Sequence, residues 1–220
     1  MKTYLFHGQI GAGKDTQVEM LLKKFDVERV STGEMFRKMT EEGDQEAADL
    51  FNNKVKHGIW PSPEETFSLV KRWLKRFDSS KDWVLLSVAR YAEQIPFLDE
   101  ALKEYGRSLD KAVHFTIPEE VALDRLAGRQ ICPNCQATYH PKYKPEKVKG
   151  VCDLCGSKLE VRKDDTPEGV KMRFEQYSKS VQPWLDAYKQ RGILIEIDAT
   201  PSIEDIHNEV IKNLEFTNVR

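Results

Sequence analysis

Residues 8–16 read Gly-Gln-Ile-Gly-Ala-Gly-Lys-Asp-Thr, and this stretch decides the fold. A short β-prone run over residues 2–7 precedes it, and a helical pattern over residues 14–25 follows it. Glycines at such a junction let backbone amides turn inward, while the helix N-terminus and Lys14 supply positive charge. The stretch therefore predicts a phosphate-binding loop. The alternative is a glycine-rich turn that binds no ligand.

Strand and helix patterns alternate along much of the remaining chain. Residues 83–89 are apolar apart from Ser87, which is typical of a strand buried on both faces of a parallel sheet. Residues 27–30, 111–117 and 193–197 give further strands, and helical patterns occur over residues 63–77, after Pro118 and from Pro201. The alternation predicts an α/β fold with a doubly wound parallel sheet, whose ligands bind at the carboxyl ends of the strands.

Two stretches break this alternation. Residues 31–62 hold several helical patterns, one of them over residues 44–56, and no strand, whereas residues 129–165 are rich in Gly, Pro and Lys and contain every cysteine. We interpret both stretches as inserts in one core. The predicted division is a core of residues 1–30, 63–128 and 166–220, a helical insert at residues 31–62 and a second insert at residues 129–165.

Composition limits the classes of function. The 220 residues are 40% hydrophobic and 32% charged, as in a globular protein, and the longest largely apolar run is far shorter than a membrane span. A net charge of -2 does not favour a broadly basic surface for nucleic acid. The amino-terminal residues lack the apolar stretch of a secretory signal. We therefore expect a cytoplasmic protein without membrane or nucleic-acid partners.

The four cysteines form two Cys-x-x-Cys pairs, Cys132 with Cys135 and Cys152 with Cys155, separated by sixteen residues. This spacing predicts a structural zinc site with four thiolate ligands, which leaves no open position for catalysis. Two disulfides or four free thiols are the alternatives, and a reducing compartment disfavours the disulfides. A zinc ribbon that binds nucleic acid is a further alternative, although no basic excess accompanies it elsewhere in the chain.

The phosphate loop resembles that of the adenylate kinase family, usually written Gly-x-Pro-Gly-x-Gly-Lys-Gly-Thr. As in that family, the hydroxyl residue Thr16 follows the lysine by two positions. Ile10 stands in place of the proline and Asp15 in place of the glycine. By this resemblance the ATP-binding residues are Gly11, Ala12, Gly13, Lys14, Asp15, Thr16, Arg125 and Arg129.

Two more segments resemble the family's acceptor site. Residues 31–37 read Ser-Thr-Gly-Glu-Met-Phe-Arg, and residues 86–94 read Leu-Ser-Val-Ala-Arg-Tyr-Ala-Glu-Gln where the family has Asp-Gly-Phe-Pro-Arg and, four residues later, Gln. A planar guanidinium suits phosphate, and a Gln amide can pair with the edge of a base. The resemblance implies the AMP-binding residues Thr32, Arg37, Arg90, Gln94, Arg162 and Arg173.

Three departures from the family affect these expectations. Leu86 replaces an acidic residue that helps to hold magnesium, Ala89 replaces a proline that fixes the local turn, and residues 58–63 differ from the family's wall beside the acceptor. Two alternatives therefore stay open. The chain could phosphorylate another nucleoside monophosphate such as GMP, or it could bind nucleotides with little catalysis.

The arginines around the cysteines resemble those of the adenylate kinase lid, which closes over ATP. By resemblance Arg125 packs on the nucleotide base, Arg129 and Arg162 meet ATP phosphates, and Arg173 meets the phosphoryl group in transfer. Gln130 replaces a second family arginine. The implied catalytic residues are Lys14, Arg90, Arg129, Arg162 and Arg173.

The resemblance covers residues 2–205 and implies reversible transfer of a phosphoryl group from ATP to AMP. Mg²⁺ accompanies ATP, zinc is structural, the partners are the two nucleotides, and the protein is expected to be a monomer. This chemistry needs positioned positive charge and no side-chain nucleophile. Asp15 has two interpretations: its carboxylate supports Mg²⁺ in place of the acid lost at Leu86, or it faces solvent and caps helix amides.

Overall fold

The computed structural model describes residues 1–161 and 165–216. Its strands are β1 (Thr3–Gly8), β2 (Val27–Ser31), β3 (Asp82–Leu86), β4 (Lys111–Thr116), β5 (Gln130–Ile131), β6 (Thr138–Tyr139), β7 (Glu160–Val161) and β8 (Leu194–Asp198). Its α-helices are α1 (Lys14–Lys24), α2 (Thr32–Glu41), α3 (Gln45–Asn53), α4 (Pro63–Leu74), α5 (Ile95–Lys103), α6 (Glu119–Ala127), α7 (Pro167–Gln190) and α8 (Ile203–Asn213).

Five strands form one parallel sheet in the order β2-β3-β1-β4-β8. Because β1 lies at its centre, the loop that leaves the carboxyl end of β1 opens between two neighbouring strands. The predicted α/β class with a parallel sheet is confirmed, and the expected ligand side is the edge from which residues 8–16 emerge.

Both faces of the sheet are covered. Leu5 faces a core shared with Trp73, Trp83 and Trp184, whereas its neighbours Tyr4 and Phe6 face a second core. This division follows from the pleat, which directs successive side chains to opposite faces. The first core lies under α2, α4, α5 and α7, and the second lies under α1 and α8. The apolar run that follows Asp82 in β3 is explained by burial on both sides of the sheet.

Helix starts explain several element boundaries. Ser62 and Glu65 form a reciprocal capping box at the start of α4, with Pro63 in the first turn, and Ser31 accepts a hydrogen bond from the backbone N–H of Glu34 at the start of α2. By contrast, Gly13 precedes α1 with φ 77° and supplies no side-chain cap. The first turn of α1 instead lines a cleft.

The structure differs from the sequence pattern in three places. The strand expected over residues 83–89 ends at Leu86, because Ser87 adopts a left-handed φ of 52° that breaks the extended backbone. The helix expected over residues 44–56 ends at Asn53, and a 3₁₀ turn follows. The pattern gave no prediction for α5, whose Pro96 is tolerated because it lies in the first turn.

The cysteine insert, by which we mean residues 129–161, has its own small sheet. Its strands β6, β5 and β7 pair antiparallel in that order. A separate small core lies beside them, formed by Cys132, Ala137, Tyr139, Cys152 and Leu159. Among the described residues, no helix combines the length and apolar character that a membrane span requires.

Candidate functional site

A cleft of about 690 Å³ lies at the carboxyl ends of β1 and β3. Its walls include residues from the core segments 8–16 and 86–90, from segment 31–37 of the helical insert and from segment 138–140 of the cysteine insert. Distant parts of the chain therefore face one space. The cleft has the size and location expected of a small-molecule site in an α/β protein.

Glycine sterics shape the phosphate loop. A Cβ on Gly11, whose φ is 84°, would lie 2.6 Å from the carbonyl oxygen of Ala122, so no other residue fits without a backbone shift. The ammonium of Lys14 donates hydrogen bonds to the carbonyl oxygens of Gly8 (2.7 Å) and Gln9 (2.8 Å). The positive charge thus lies over the loop, where a phosphate would approach.

Asp15 has a partner that the sequence did not indicate. The guanidinium of Arg29, on β2, donates to the carboxylate of Asp15 at 2.8 Å, and the two side chains are 12% and 33% exposed. Neither proposed role of Asp15 included this ion pair. It offsets the negative charge that Asp15 brings to the phosphate loop, and the magnesium role stays a prediction.

Arg90 and Thr32 are brought together at the acceptor side. The Nε of Arg90 donates to the carbonyl oxygen of Ser87 at 3.2 Å, and a terminal nitrogen of Arg90 lies 3.5 Å from the hydroxyl of Thr32. That hydroxyl donates to the same Ser87 oxygen at 3.0 Å. Both residues line the cleft, as their predicted roles require.

Gln94 is almost fully buried beside them. Its side-chain oxygen accepts from the backbone N–H of Arg90 at 2.7 Å, and its nitrogen donates to the hydroxyl of Thr66 at 3.3 Å. An amide has a second lone pair and a second N–H to offer. Gln94 therefore braces the Arg90 backbone in addition to lining the cleft, and its contact with a base stays a prediction.

Trp60 is a cleft residue that the sequence analysis missed. The guanidinium of Arg90 lies over its indole, 5.5 Å from the ring centroid, and the ring of Tyr91 stacks parallel to it at 5.9 Å. The Tyr91 hydroxyl donates to the carbonyl oxygen of Pro61 at 2.8 Å. The sequence signal for Trp60 was the departure of residues 58–63 from the family pattern. In this segment the indole of Trp60 supplies a cation–π surface for Arg90.

Two of the predicted arginines line the cleft and form hydrogen bonds with residues behind its wall. Arg37 donates to the side-chain oxygen of Gln136 at 2.8 Å and so links α2 to the cysteine insert. Arg125 donates to the carbonyl oxygen of Ala199 at 2.8 Å and lies over the ring of Tyr143 at 5.4 Å. Burial lowers the pKa of Arg125.

The carboxylate of Asp165 binds the guanidinium groups of both Arg129 and Arg173. Its carboxylate accepts two hydrogen bonds from Arg129, at 2.8 and 2.6 Å, and a third from Arg173 at 3.4 Å. The Asp165 side chain is only 5% exposed. The sequence placed both arginines in the site but gave Asp165 no role. Arg162, also predicted there, lies outside the described residues.

Glu19 holds the cysteine insert against α1. Its nearly buried carboxylate accepts from the backbone N–H and the hydroxyl of Thr138, both at 3.0 Å, and from the ammonium of Lys144. A lone glutamate on a helix carries no sequence signal for such a contact. The insert therefore rests directly beside the phosphate loop.

The four cysteine sulfurs converge. All four Sγ atoms lie within 4.8 Å of one another, and no disulfide joins Cys132, Cys135, Cys152 and Cys155. Sulfurs bound to one tetrahedral zinc at about 2.3 Å would be separated by about 3.8 Å. The donor set and its compactness therefore fit one tetrahedral thiophilic metal ion.

Comparisons with known proteins agree with this geometry. The family model described as adenylate kinase matches residues 6–193. The adenylate kinase of Staphylococcus aureus strain Mu50 is 38% identical over 208 residues, which is 94% of this chain and 96% of that protein. The adenylate kinase of Caldanaerobacter subterraneus subsp. tengcongensis is 38% identical over 207 residues, covering 94% and 93%. That of Caldicellulosiruptor bescii is 36% identical over 207 residues, covering 94% and 96%.

Proposed function

The chain belongs to the adenylate kinase family, and we propose that it catalyses the reversible, magnesium-dependent transfer of the γ-phosphoryl group of ATP to AMP, giving two ADP. One observation carries this proposal: a phosphate loop, an acceptor-side arginine and a pair of gathered arginines line one cleft. Phosphoryl transfer depends mainly on position and on stabilising negative charge. The cleft offers both.

ATP phosphates bind at the loop formed by Gly11, Ala12, Gly13, Lys14, Asp15 and Thr16. Lys14 exchanges the carbonyl oxygens of Gly8 and Gln9 for phosphate oxygens, a stronger charge-assisted contact. Mg²⁺ supplies charge neutralisation between the phosphates when it arrives with ATP. Asp15 and Thr16 carry the oxygen atoms in the loop that suit this hard cation, whereas Leu86 cannot bind it.

AMP binds between the helical insert and the segment after β3. Arg37 and Arg90 hold its phosphate, and the guanidinium of Arg90 is oriented by Trp60 and by the Ser87 carbonyl. Thr32 and Gln94 contact the adenine. Gln94 does so with the amide hydrogen and lone pair that its bonds to the protein leave over.

Arg129 and Arg173 stabilise the phosphoryl group during transfer, together with Arg162 by resemblance to the family. Both described arginines are gathered on Asp165, so their guanidinium groups are already close together before they meet phosphate. Arg125 packs on the base of ATP. Closure of the lid excludes water, which is the competing acceptor.

The lid is the second insert, residues 129–165, and it contains a structural zinc bound by Cys132, Cys135, Cys152 and Cys155. Four thiolates complete a tetrahedral shell, so the metal supports the lid and takes no part in transfer. Residues 31–62 form the AMP-binding insert, and residues 1–30, 63–128 and 166–220 form the core. The separate sheet of the cysteine insert supports this division.

We place the protein in the cytoplasm as a monomer. The cysteines are held as a convergent thiol cluster, which suits a reducing compartment. Light scattering on the purified protein tests the oligomeric state, with a mass near 25.4 kDa expected for a monomer. Cell fractionation tests the location.

A coupled assay of ADP formation tests the activity. We expect Mg²⁺-dependent turnover with AMP and much lower rates with GMP, CMP and UMP. A preference for GMP would select the alternative acceptor. Binding of a bisubstrate dinucleotide without turnover would select a nucleotide-binding protein. Elemental analysis should find one zinc per chain, and its absence from protein purified without chelators contradicts the lid assignment.

A further inference from the structure

A buried chain of polar side chains runs beneath the cleft. His7 on β1 lies directly opposite His114 on β4, and their Nδ1 atoms are 3.2 Å apart. The Nε2 of His7 lies 3.2 Å from the carbonyl oxygen of Arg90. The Nε2 of His114 lies 3.2 Å from the hydroxyl of Tyr177 on α7. Each contact joins a different element, so the chain connects α7, β4, β1 and the acceptor segment.

Both histidines are neutral near pH 7. Burial lowers the pKa of His7 well below its usual range, with His114 and Lys14 adding to the shift. Burial, with help from Lys14, lowers the pKa of His114 to about 4. Tyr177 faces the pair from α7, and the burial of its hydroxyl raises the Tyr177 pKa to about 12. The nearby charged groups are Lys14, Arg90 and, on β8 opposite His114, Glu196.

These contacts fix the position of every proton. A carbonyl oxygen only accepts, so the Nε2 of His7 carries hydrogen and, in the neutral ring, its Nδ1 accepts. The Nδ1 of His114 must then donate, which leaves the Nε2 of His114 as an acceptor. Tyr177 therefore donates its hydroxyl hydrogen to His114. All the hydrogen bonds in this set of side chains are therefore donated in one direction, from Tyr177 toward the Arg90 carbonyl.

The two ends of this chain lie at the two halves of the cleft. One end holds the backbone of Arg90. At the other, Tyr177 lines the cleft together with Lys14 of the phosphate loop. His7 itself directly precedes the phosphate loop. Through His7, the hydrogen bonds thus connect the base of the phosphate loop to the acceptor segment.

The acceptor segment needs such support because its own backbone is weakly constrained. Ser87 holds a left-handed φ, and Ala89 does not fix φ as a proline would. Two buried donors hold consecutive carbonyl oxygens there: the indole N–H of Trp184 bonds to Ala89 at 3.0 Å, and His7 bonds to Arg90. The Trp184 ring also stacks on His7, with centroids 4.0 Å apart.

We propose that Tyr177, His114 and His7 are positioning residues that fix the backbone of Arg90 relative to the phosphate loop. The acceptor phosphate held by Arg90 is thereby kept in line with the γ-phosphoryl group held at Lys14. This inference rests on the proposed transfer of a phosphoryl group. It assigns the three residues no direct contact with the reacting atoms.

Tyr177→Phe tests the proposal, with Tyr188→Phe as its matched control. Both tyrosines are on α7 and are largely buried, but the Tyr188 hydroxyl has no hydrogen-bond partner among the described residues. We expect Tyr177→Phe to lower kcat about tenfold, with KM for both nucleotides within about twofold, because misplacement affects transfer more than binding. Tyr188→Phe should leave kcat unchanged. Equal kcat in the wild type and Tyr177→Phe overturns the proposal.

A spectroscopic measurement on the wild type does not depend on the fate of any variant. Nitrogen-15 NMR of labelled histidines at pH 7 should show His7 protonated at Nε2 and His114 protonated at Nδ1. Assignment uses His7→Gln and His114→Gln. The opposite tautomer, or a charged ring in either residue, overturns the proposal. A wild type that makes no ADP instead refutes the proposed function, which separates the two failures.

Discussion

The phosphate loop and the acceptor segment after β3 hold their backbones in different ways. In the loop, Gly11 fits only because it has no side chain to meet the Ala122 carbonyl. In the acceptor segment, the carbonyl oxygens of Ala89 and Arg90 accept hydrogen bonds from Trp184 and His7, which come from other parts of the chain. The first restraint is steric and requires glycine at one position, and the second is a set of buried hydrogen bonds. A requirement for glycine leaves a sequence motif, whereas hydrogen bonds from distant side chains do not.

The sharpest test of the acceptor segment is Arg90→Ala. We expect kcat/KM to fall about 10³-fold while the unfolding temperature changes little, because Arg90 stabilises charge at the transferring group. Arg191→Ala is the control, since Arg191 pairs with Asp99 on an exposed surface. Steady-state kinetics and calorimetry measure both. Near-normal turnover in Arg90→Ala would contradict the assignment of Arg90 to the acceptor site.

Removing the metal extends the comparison to the cysteine insert, whose small core is separate from the loop. We expect chelation, or Cys132→Ser, to lower the unfolding temperature by about 10 °C, since structural zinc contributes folding energy. Binding of ATP phosphates at the loop should change by less than about threefold. Calorimetry and titration of a fluorescent ATP analogue measure the two effects. An unchanged unfolding temperature contradicts a structural metal.

Gly11→Ala against Gly13→Ala tests the steric restraint in the loop. Both glycines have positive φ, but a Cβ on Gly13 meets nothing within 4 Å, whereas one on Gly11 meets backbone. In Gly13→Ala the only expected loss is the strain energy of an alanine in the left-handed conformation, about 1 kcal/mol. Gly11→Ala should weaken ATP binding about 100-fold because the loop must move. Calorimetric titration measures the affinity of both variants for ATP. Equal losses of affinity would show that the contact with Ala122 does not determine the conformation of the loop.

The buried histidines predict a pH dependence of stability. Because the pKa of His114 is lowered from its usual 6.5 to about 4, the unfolded chain binds a proton between these values that the folded chain does not. The contribution of His114 to the free energy of unfolding is therefore complete above pH 6.5 and is lost as the pH decreases toward 4. Between pH 7 and pH 5 the loss from His114 alone is about 2 kcal/mol. Urea unfolding at both pH values should show a smaller loss in His114→Gln. The same slope in both proteins would contradict a neutral, buried His114.

The smallest expected effect concerns Asp15. If its carboxylate supports Mg²⁺, Asp15→Gly raises the Mg²⁺ concentration for half-maximal rate, and adding Leu86→Asp lowers it again. Arg29→Met should raise KM for ATP about threefold by removing one positive charge beside Asp15, a modest change because the pair is partly exposed. Magnesium titrations of the rate measure all three variants. An unchanged magnesium dependence in Asp15→Gly contradicts the magnesium role.

Sequence patterns could predict what neighbouring residues determine. The parallel sheet, the phosphate loop and the convergence of the cysteines follow from apolar runs, glycine spacing and Cys-x-x-Cys spacing. The pair of Arg29 with Asp15, the stacking of Trp60 with Arg90 and the contact of His7 with His114 join residues whose separation in sequence carries no signal. The sequence pattern did not predict helix α5, because a proline usually interrupts a helix, whereas Pro96 lies in the first turn, where it is tolerated.

Asp165 also has a consequence for ion selectivity. Its carboxylate accepts three of the hydrogen bonds that Arg129 and Arg173 can donate, so an incoming anion must displace the carboxylate to take over those three donors. Chloride or another weakly charged ion gains too little to do so. A polyphosphate, which carries several charges and many oxygens, gains enough. Competition with the carboxylate therefore favours polyphosphates over small single anions at these three donors.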